Sequence, residues 1–186
     1  MRIISGRFRN KKLFSPGDQS IRPTSDRVRE SLFNILASRL GPDFSGQRVL
    51  DLFAGTGALG IEALSRGADY AVFVDNGVEA RASIRQNMEH FGLGGQSKLL
   101  RRDATTLGPV DNSNPFELVF CDPPYGKGLG EQALASASDG GWLAPGATIV
   151  LEEKKGVEII LPEGFGLFDQ RTYGQTSVHF FEFGGA

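Results

Sequence analysis

The tetrapeptide Asp122-Pro123-Pro124-Tyr125 carries the groups best suited to chemistry in this chain of 186 residues. It follows an apolar run, Leu118-Val119-Phe120-Cys121, that reads as a buried strand. Each proline lacks an N–H and has a fixed φ, so the strand's hydrogen-bonded ladder stops there. A carboxylate, a free backbone carbonyl and an aromatic ring then project from its carboxyl end. Such a set suits a planar base with an exocyclic amine. The carboxylate and a carbonyl accept hydrogen bonds from the amine while the ring stacks on the base. Taken alone, the tetrapeptide also fits a proline-rich turn with a packing tyrosine.

Upstream, Arg48-Val-Leu-Asp-Leu-Phe-Ala-Gly-Thr-Gly-Ala-Leu-Gly60 reads as a short strand, a glycine loop and the start of a helix. Gly55, Gly57 and Gly60 fit G-x-G-x-x-G, and Asp75 follows Gly55 by twenty residues, after the run Ala71-Val-Phe-Val74. Glycines let the backbone approach a ligand, the helix start offers N–H groups, and the later acid suits ribose hydroxyls. This much also fits a nicotinamide dehydrogenase. Asp51 discriminates: a carboxylate at the end of the first strand repels dinucleotide phosphates and attracts the ammonium of S-adenosylmethionine. The candidate cofactor residues are therefore Asp51, Phe53, Ala54, Gly55, Thr56, Gly57 and Gly60, with Asp75 and Asn76 in the second loop. Asp103, followed by Ala104, ends a third strand and could accept the adenine amino group; it could equally cap a helix. The order Asp51, glycine loop, Asp75, Asp122-Pro-Pro-Tyr resembles the class I S-adenosylmethionine-dependent methyltransferases that act on amino groups.

These residues need a frame. Strands are expected at 48–53, 71–75, 97–102, 116–121 and 147–152, with helices at 57–66, 77–91 and 128–139. Such alternation predicts an α/β, Rossmann-like, doubly wound parallel sheet with its ligand at the carboxyl ends of the strands. Residues 166–173 and 176–183 flank Gly174-Gln175, and two strands joined so tightly must be antiparallel. The expected total is the seven-stranded methyltransferase sheet with a C-terminal hairpin. A helix begins after Thr24 or Ser25 as N-cap, with Asp26 in its first turn. Its apolar stripe is Val28, Leu32, Ile35, Leu36 and Leu40, and Gly41-Pro42 ends it. Met1 to Phe14 reads as a hairpin or arm rather than core, Glu152 and Glu153 as a solvated strand end, and Trp142 as a packing anchor.

With 40% apolar and 23% charged residues, the chain can bury one respectable core. Its net charge is −2, but residues 1–40 hold nine Lys/Arg against three acids, leaving the rest at −8. A basic arm (1–23) on an acidic body (24–186) of the same domain suggests a polyanionic substrate. The single cysteine, Cys121, fits a reducing cytosol and an inert core position, and it does not follow a proline as C5-pyrimidine chemistry requires. The two histidines, His90 and His179, are read as structural, and no metal constellation is expected. Without an apolar span or signal-peptide core, a cytoplasmic protein is expected.

The family can be narrowed. Met-Arg-Ile-Ile-Ser-Gly6, the entry segment Ile21-Arg-Pro-Thr-Ser-Asp-Arg-Val-Arg-Glu-Ser-Leu-Phe-Asn-Ile-Leu36, the run Leu-Asp-Leu-Phe-Ala-Gly-Thr-Gly-Ala-Leu-Gly-Ile-Glu-Ala-Leu-Ser-Arg-Gly67 and the closing Tyr-Gly-Gln-Thr176 resemble the bacterial 16S ribosomal RNA (guanine(966)-N2)-methyltransferases across essentially the whole chain. Arg102 stands where that family often has glycine, and Gln175 where an acid is more usual. The resemblance implies transfer from S-adenosylmethionine, with S-adenosylhomocysteine as product and no metal, to a guanine of 16S rRNA; a monomer acting on an assembling small subunit is the expectation beside it, with naked rRNA the other form the substrate could take. It implies that Asp122 and the Pro123 carbonyl hold the amine and that Tyr125 stacks on the flipped base. Arg2, Arg7, Arg9, Lys11, Arg22 and Arg27 are the expected phosphate contacts. An adenine-N6 methyltransferase of DNA or RNA is the alternative; a nicotinamide oxidoreductase or a non-catalytic RNA-binding module are more distant ones.

Overall fold

The computed structural model describes residues 1–16, 24–112 and 114–184. Arg22, one of the expected phosphate contacts, lies outside them. The described elements are α1 Asp26–Leu40, β1 Arg48–Leu52, α2 Ala58–Ser65, β2 Tyr70–Val74, α3 Val78–His90, β3 Ser97–Leu100, a 3-10 turn Ala104–Thr106, β4 Phe116–Cys121, α4 Leu129–Asp139, β5 Leu143–Lys154, β6 Phe165–Tyr173 and β7 Thr176–Phe183. The strands form one seven-stranded sheet in the order β3-β2-β1-β4-β5-β7-β6. The first five are parallel, and β7 runs antiparallel to both β5 and β6. This is the expected methyltransferase sheet. Strand order reverses between β1 and β4, so their carboxyl ends flank the crevice where doubly wound sheets bind ligands.

Because successive strand residues face opposite sides, one parity builds each face of the core. Val49, Ala71, Phe73, Leu118, Phe120, Val150, Val178 and Phe180 pack with α1, α2 and α3. Leu50, Val72, Val119, Cys121, Ile149 and Leu151 pack with α4 and Trp142 on the other face. The first parity, followed to the carboxyl edge of the parallel strands, lands on Asp51, Asp75, Asp122 and Glu152, and on Thr176 where antiparallel β7 begins. Polar groups at the ends of five strands therefore share the face and the edge where a ligand would sit.

β5 is longer than the sequence predicts. Its start pairs irregularly with β4, and its end pairs with β7 up to Lys154 opposite Thr176. Glu152 and Glu153 are consequently not a solvated strand end: they are 3% and 1% exposed. Trp142 is the anchor expected, stacked on Phe116 with Nε1 donating to the Gly108 carbonyl at 2.8 Å.

Residues 1–14 also depart from expectation. A single antiparallel bridge joins Arg2 and Lys12, but Ile3, Phe8 and Leu13 are buried in the core. The segment docks on α2. Buried Glu62 accepts from the Ile4 and Ser5 N–H groups, and Ser65 accepts the Arg7 and Phe8 N–H groups through its carbonyl and hydroxyl. Every fifth side chain of residues 3–13 thus turns inward, while Arg2, Arg7, Arg9 and Lys11 stay exposed.

Ser25 caps α1, accepting from the Val28 N–H. The fully buried residues of α1 are Arg29, Leu32, Phe33 and Leu36, so its inner stripe is centred about one residue away from the apolar spacing. Arg29 turns inward because its charge is met there: it donates to the Arg2 carbonyl at 2.6 Å, contacts Asp26, and lies 3.6 Å from Glu62. Removing one partner of such a buried pair costs about 3–5 kcal/mol, since the other charge is left uncompensated.

Candidate active site

A cavity of about 560 Å³ opens at the crevice between β1 and β4. Its lining includes Asp51, Phe53, Ala54, Gly55 and Thr56 from the first loop and Asp122, Pro123, Pro124 and Tyr125 after β4. Thr24, Ser25 and Arg29 at the start of α1, Glu152 of β5, and Tyr173 to Thr176 at the β6–β7 turn line it as well. Its size suits a small-molecule ligand, for which sites of roughly 300–1,000 Å³ are usual. Gly57, Gly60, Asp75, Asn76, Asp103 and Ala104 lie outside this lining, on the side of the loops after β1, β2 and β3.

The first loop is built around carboxylates satisfied by backbone N–H groups. Asp51 is 1% exposed and accepts from the Gly60 N–H at 3.0 Å. A Cβ on Gly60 would stand 2.5 Å from the Phe73 ring, so this glycine lets α2 lie close on β2 and brings its N–H to Asp51. Burial pushes the Asp51 carboxyl well above its ordinary range; the charges of Asp122 and Asp75 add to that, and the Gly60 bond opposes it. Phe53, in the cavity wall, has φ +54°, a left-handed conformation that strains a bulky residue by about 1–3 kcal/mol. Such strain persists where the surroundings over-determine the turn, and it is found at ligand sites.

Asp75 clasps two loops, accepting from the Gly55 N–H at 3.0 Å and the Gly77 N–H at 2.8 Å. Lone pairs remain on both oxygens for a ligand hydroxyl. Asp103 takes the capping role: its Oδ1 accepts from the Thr105 hydroxyl at 2.7 Å and N–H at 2.9 Å, which hold its carboxyl below the usual range. Its Oδ2 leaves room for a second partner. Asn76 is exposed and its carbonyl accepts from Arg81 at 2.6 Å. Arg102, the departure noted beside Asp103, donates to the Leu107 carbonyl and pairs with Asp111 at 3.2 Å.

Across the crevice, the Asp122 N–H reaches the Leu52 carbonyl at 3.4 Å, continuing the β4–β1 ladder one residue before the prolines end it. Asp122 is half-buried, Pro123 buried and Pro124 exposed. The Tyr125 hydroxyl lies 3.4 Å from Glu152 and 3.3 Å from the Thr176 hydroxyl, so its ring is oriented from β5 and β7. The following Gly126 N–H donates to Glu153 at 2.9 Å. The β6–β7 turn is held over α1 by the contact between Tyr173 and Ser31 hydroxyls. Cys121 is buried and its thiol is pushed up, burial first, so it is no nucleophile.

Reading the sequence missed several of these groups. Glu152 carried a signal, because an acid ending an apolar strand is the pattern of Asp51 and Asp122. Asn87 carried none. It is fully buried in α3, donates to the Thr56 carbonyl at 2.9 Å and the Phe14 carbonyl at 3.0 Å, and accepts from the Phe14 N–H at 2.7 Å. One amide thereby joins the glycine loop to the end of the N-terminal segment.

The family model described as conserved hypothetical protein 95 matches residues 1–182. Ribosomal RNA small subunit methyltransferase D of Haemophilus influenzae is 34% identical over 184 residues, covering 98% of this chain and 93% of that protein. The Escherichia coli protein of the same name is also 34% identical, over 98% of this chain and 89% of its own length. Among solved structures, the Escherichia coli protein yhhF superposes with a TM-score of 0.83 at 33% identity, covering 98% and 97% of the two chains. A Thermus thermophilus 16S rRNA N2 G1207 methyltransferase shares the fold, with a TM-score of 0.64 at 24% identity over 88% of this chain and 44% of that one. The chain belongs to the conserved hypothetical protein 95 family, together with the small-subunit ribosomal RNA methyltransferases D that it matches along nearly its whole length.

Proposed function

We propose that this protein transfers the methyl group of S-adenosylmethionine to the exocyclic N2 amine of a guanine in 16S rRNA. The observation that carries the reading is the opening of Asp122-Pro-Pro-Tyr125 and the Asp51–Thr56 loop into one cavity at the switch point of the sheet. The names of the full-length relatives support the rRNA substrate. The entry-segment resemblance supports guanine N2.

Asp51, Phe53 to Gly57 and Gly60 hold the methionine end in this reading, with buried Asp51 meeting its ammonium. Asp75 and Asn76 take the ribose and Asp103 with Ala104 the adenine. When bound, S-adenosylmethionine supplies an electrophilic sulfonium methyl and leaves as S-adenosylhomocysteine. The target amine is a poor nucleophile because its lone pair is delocalised into the ring. Asp122 accepts one N–H and the Pro123 carbonyl the other, holding nitrogen in line with the methyl carbon. With that methyl donor bound, an N–C bond would form as its C–S bond breaks, and the surplus N–H proton would pass to Asp122 or to water. Tyr125, its hydroxyl tethered by Glu152 and Thr176, offers its ring to the flipped base. Positioning of this kind can supply roughly 7–11 kcal/mol of a barrier.

Residues 1–23 act as the RNA-contacting arm of the domain, with Arg2, Arg7, Arg9, Lys11 and Arg22 on phosphates and Arg27 of α1 beside them. The protein works as a monomer in the cytoplasm, on an assembling subunit. The test is incubation with methyl-labelled S-adenosylmethionine and small subunits from a strain lacking the enzyme, followed by digestion to nucleosides. Label in N2-methylguanosine supports the reading. Label in N6-methyladenosine moves it to the adenine alternative, and a protein that binds no S-adenosylmethionine overturns it.

A further inference from the structure

Three lysines outside the arm gather at the rim of the cavity, although they are far apart in the chain. Lys127 follows the cavity-lining Tyr125 by two residues, and the Gly126 N–H between them is bound to Glu153 at 2.9 Å. Lys154 is next to Glu153 and follows the cavity-lining Glu152 by two residues, its own N–H donating to Glu153 at 2.6 Å. Lys155 donates its N–H to the carbonyl of Gln175, another lining residue, at 2.8 Å. One buried carboxylate and one turn thus collect the three backbones. All three side chains are exposed, and no ion pair joins them to an acid among the described residues.

Their surroundings make the cluster informative. The cavity presents Asp122 and Glu152, with Glu153 buried behind them, an arrangement that repels a polyanion within a Debye length of roughly 8–10 Å. A flipped nucleotide stays joined to its flanking phosphates, so those charges must come to this rim when the base enters. The arm docks on α2, which packs over β1 and β2, and so grips RNA from one side only. The lysines stand on the other side, above β4, β5 and the β6–β7 turn.

We infer that Lys127, Lys154 and Lys155 form a second phosphate-binding rim that holds the RNA backbone beside the target base. This rests on the rRNA reading above. The experiment compares wild type, the triple Lys→Ala variant and the triple Lys→Arg variant on small ribosomal subunits lacking the modification. Affinity is measured across a salt series, together with methylation kinetics and S-adenosylmethionine binding by calorimetry. For the alanine variant, the slope of log affinity against log salt should fall by about 2–3 and KM for subunits should rise at least tenfold. Its kcat and S-adenosylmethionine affinity should be unchanged, and the arginine variant should match wild type. An alanine variant with wild-type slope and KM overturns the rim alone, provided wild type methylates the subunits. A loss shared by the arginine variant, or accompanied by lost S-adenosylmethionine binding, also overturns it. A wild-type protein that neither binds nor methylates rRNA overturns the rim and the substrate reading together.

Discussion

The two sides of the crevice are assembled by different means. On the β1–β2–β3 side, Asp51, Asp75 and Asp103 are each satisfied by backbone N–H groups, all within twenty residues in the chain. On the β4–β5–β7 side, groups meet through long-range side-chain contacts: Tyr125 with Glu152 and Thr176, and Ser31 with Tyr173. The first side is preorganised by its own loops. The second exists only once the hairpin has closed on β5 and α1. Substitutions on the first should therefore act on cofactor affinity or stability, and those on the second on turnover.

Asp122→Ala should break the second side most severely. It removes the acceptor for the target amine, and turnover should fall by roughly 10²–10³ while S-adenosylmethionine affinity in calorimetry stays at wild type. An active variant would refute the mechanism. Asn87→Ala tests the first side's scaffold, since the Thr56 carbonyl and both Phe14 backbone groups lose a buried partner. Unfolding in denaturant should show a loss of about 3 kcal/mol, as each orphaned group carries roughly 1–3.

Asp75→Ala frees the Gly55 and Gly77 N–H groups and should weaken S-adenosylmethionine about tenfold or more, with kcat at saturation little altered. A variant with normal affinity and lost turnover would invert the comparison. Tyr125→Phe removes hydroxyl contacts as long as 3.3 and 3.4 Å and should change turnover a few-fold at most, whereas Tyr125→Ala removes the ring itself.

Asp51 sharpens the comparison through protons. Its carboxyl is raised by burial, so folding favours the neutral form, and the ligand-free protein should lose stability as pH rises from about 4 through the raised value. A cation beside Asp51 favours the ionised form. Binding of S-adenosylmethionine should therefore release a proton and tighten as pH rises through that window. Calorimetry in buffers of different ionisation enthalpy reads this release, and the same release from Asp51→Asn would assign it elsewhere.

Much of this was legible in the chain. Short apolar runs and the glycine loop located β1, β2 and β4, and placed acids at their carboxyl ends. What misled was isolation: Glu152 and Glu153 look solvated beside Lys154 and Lys155, and become buried because β7 pairs back along β5 to its last residue. Residues 1–14 look like a basic arm, yet Ile3, Phe8 and Leu13 join a hydrophobic core shared with α1, α2 and α3, which lie far along the chain from most of them. Arg29 looks like another surface arginine, and its partner Glu62 stands thirty-three residues away.

By itself, then, the sequence determined the succession of strands and helices, the ligand edge at the carboxyl ends of the strands and the acids that end β1, β2 and β4, because these follow from local apolar runs and turn chemistry. The tertiary structure alone decided that Glu152 and Thr176 tether Tyr125, that Asn87 joins the glycine loop to Phe14, and that Lys127, Lys154 and Lys155 share one rim. Those juxtapositions depend on strand register and loop closure between distant segments, which no window of neighbouring residues encodes.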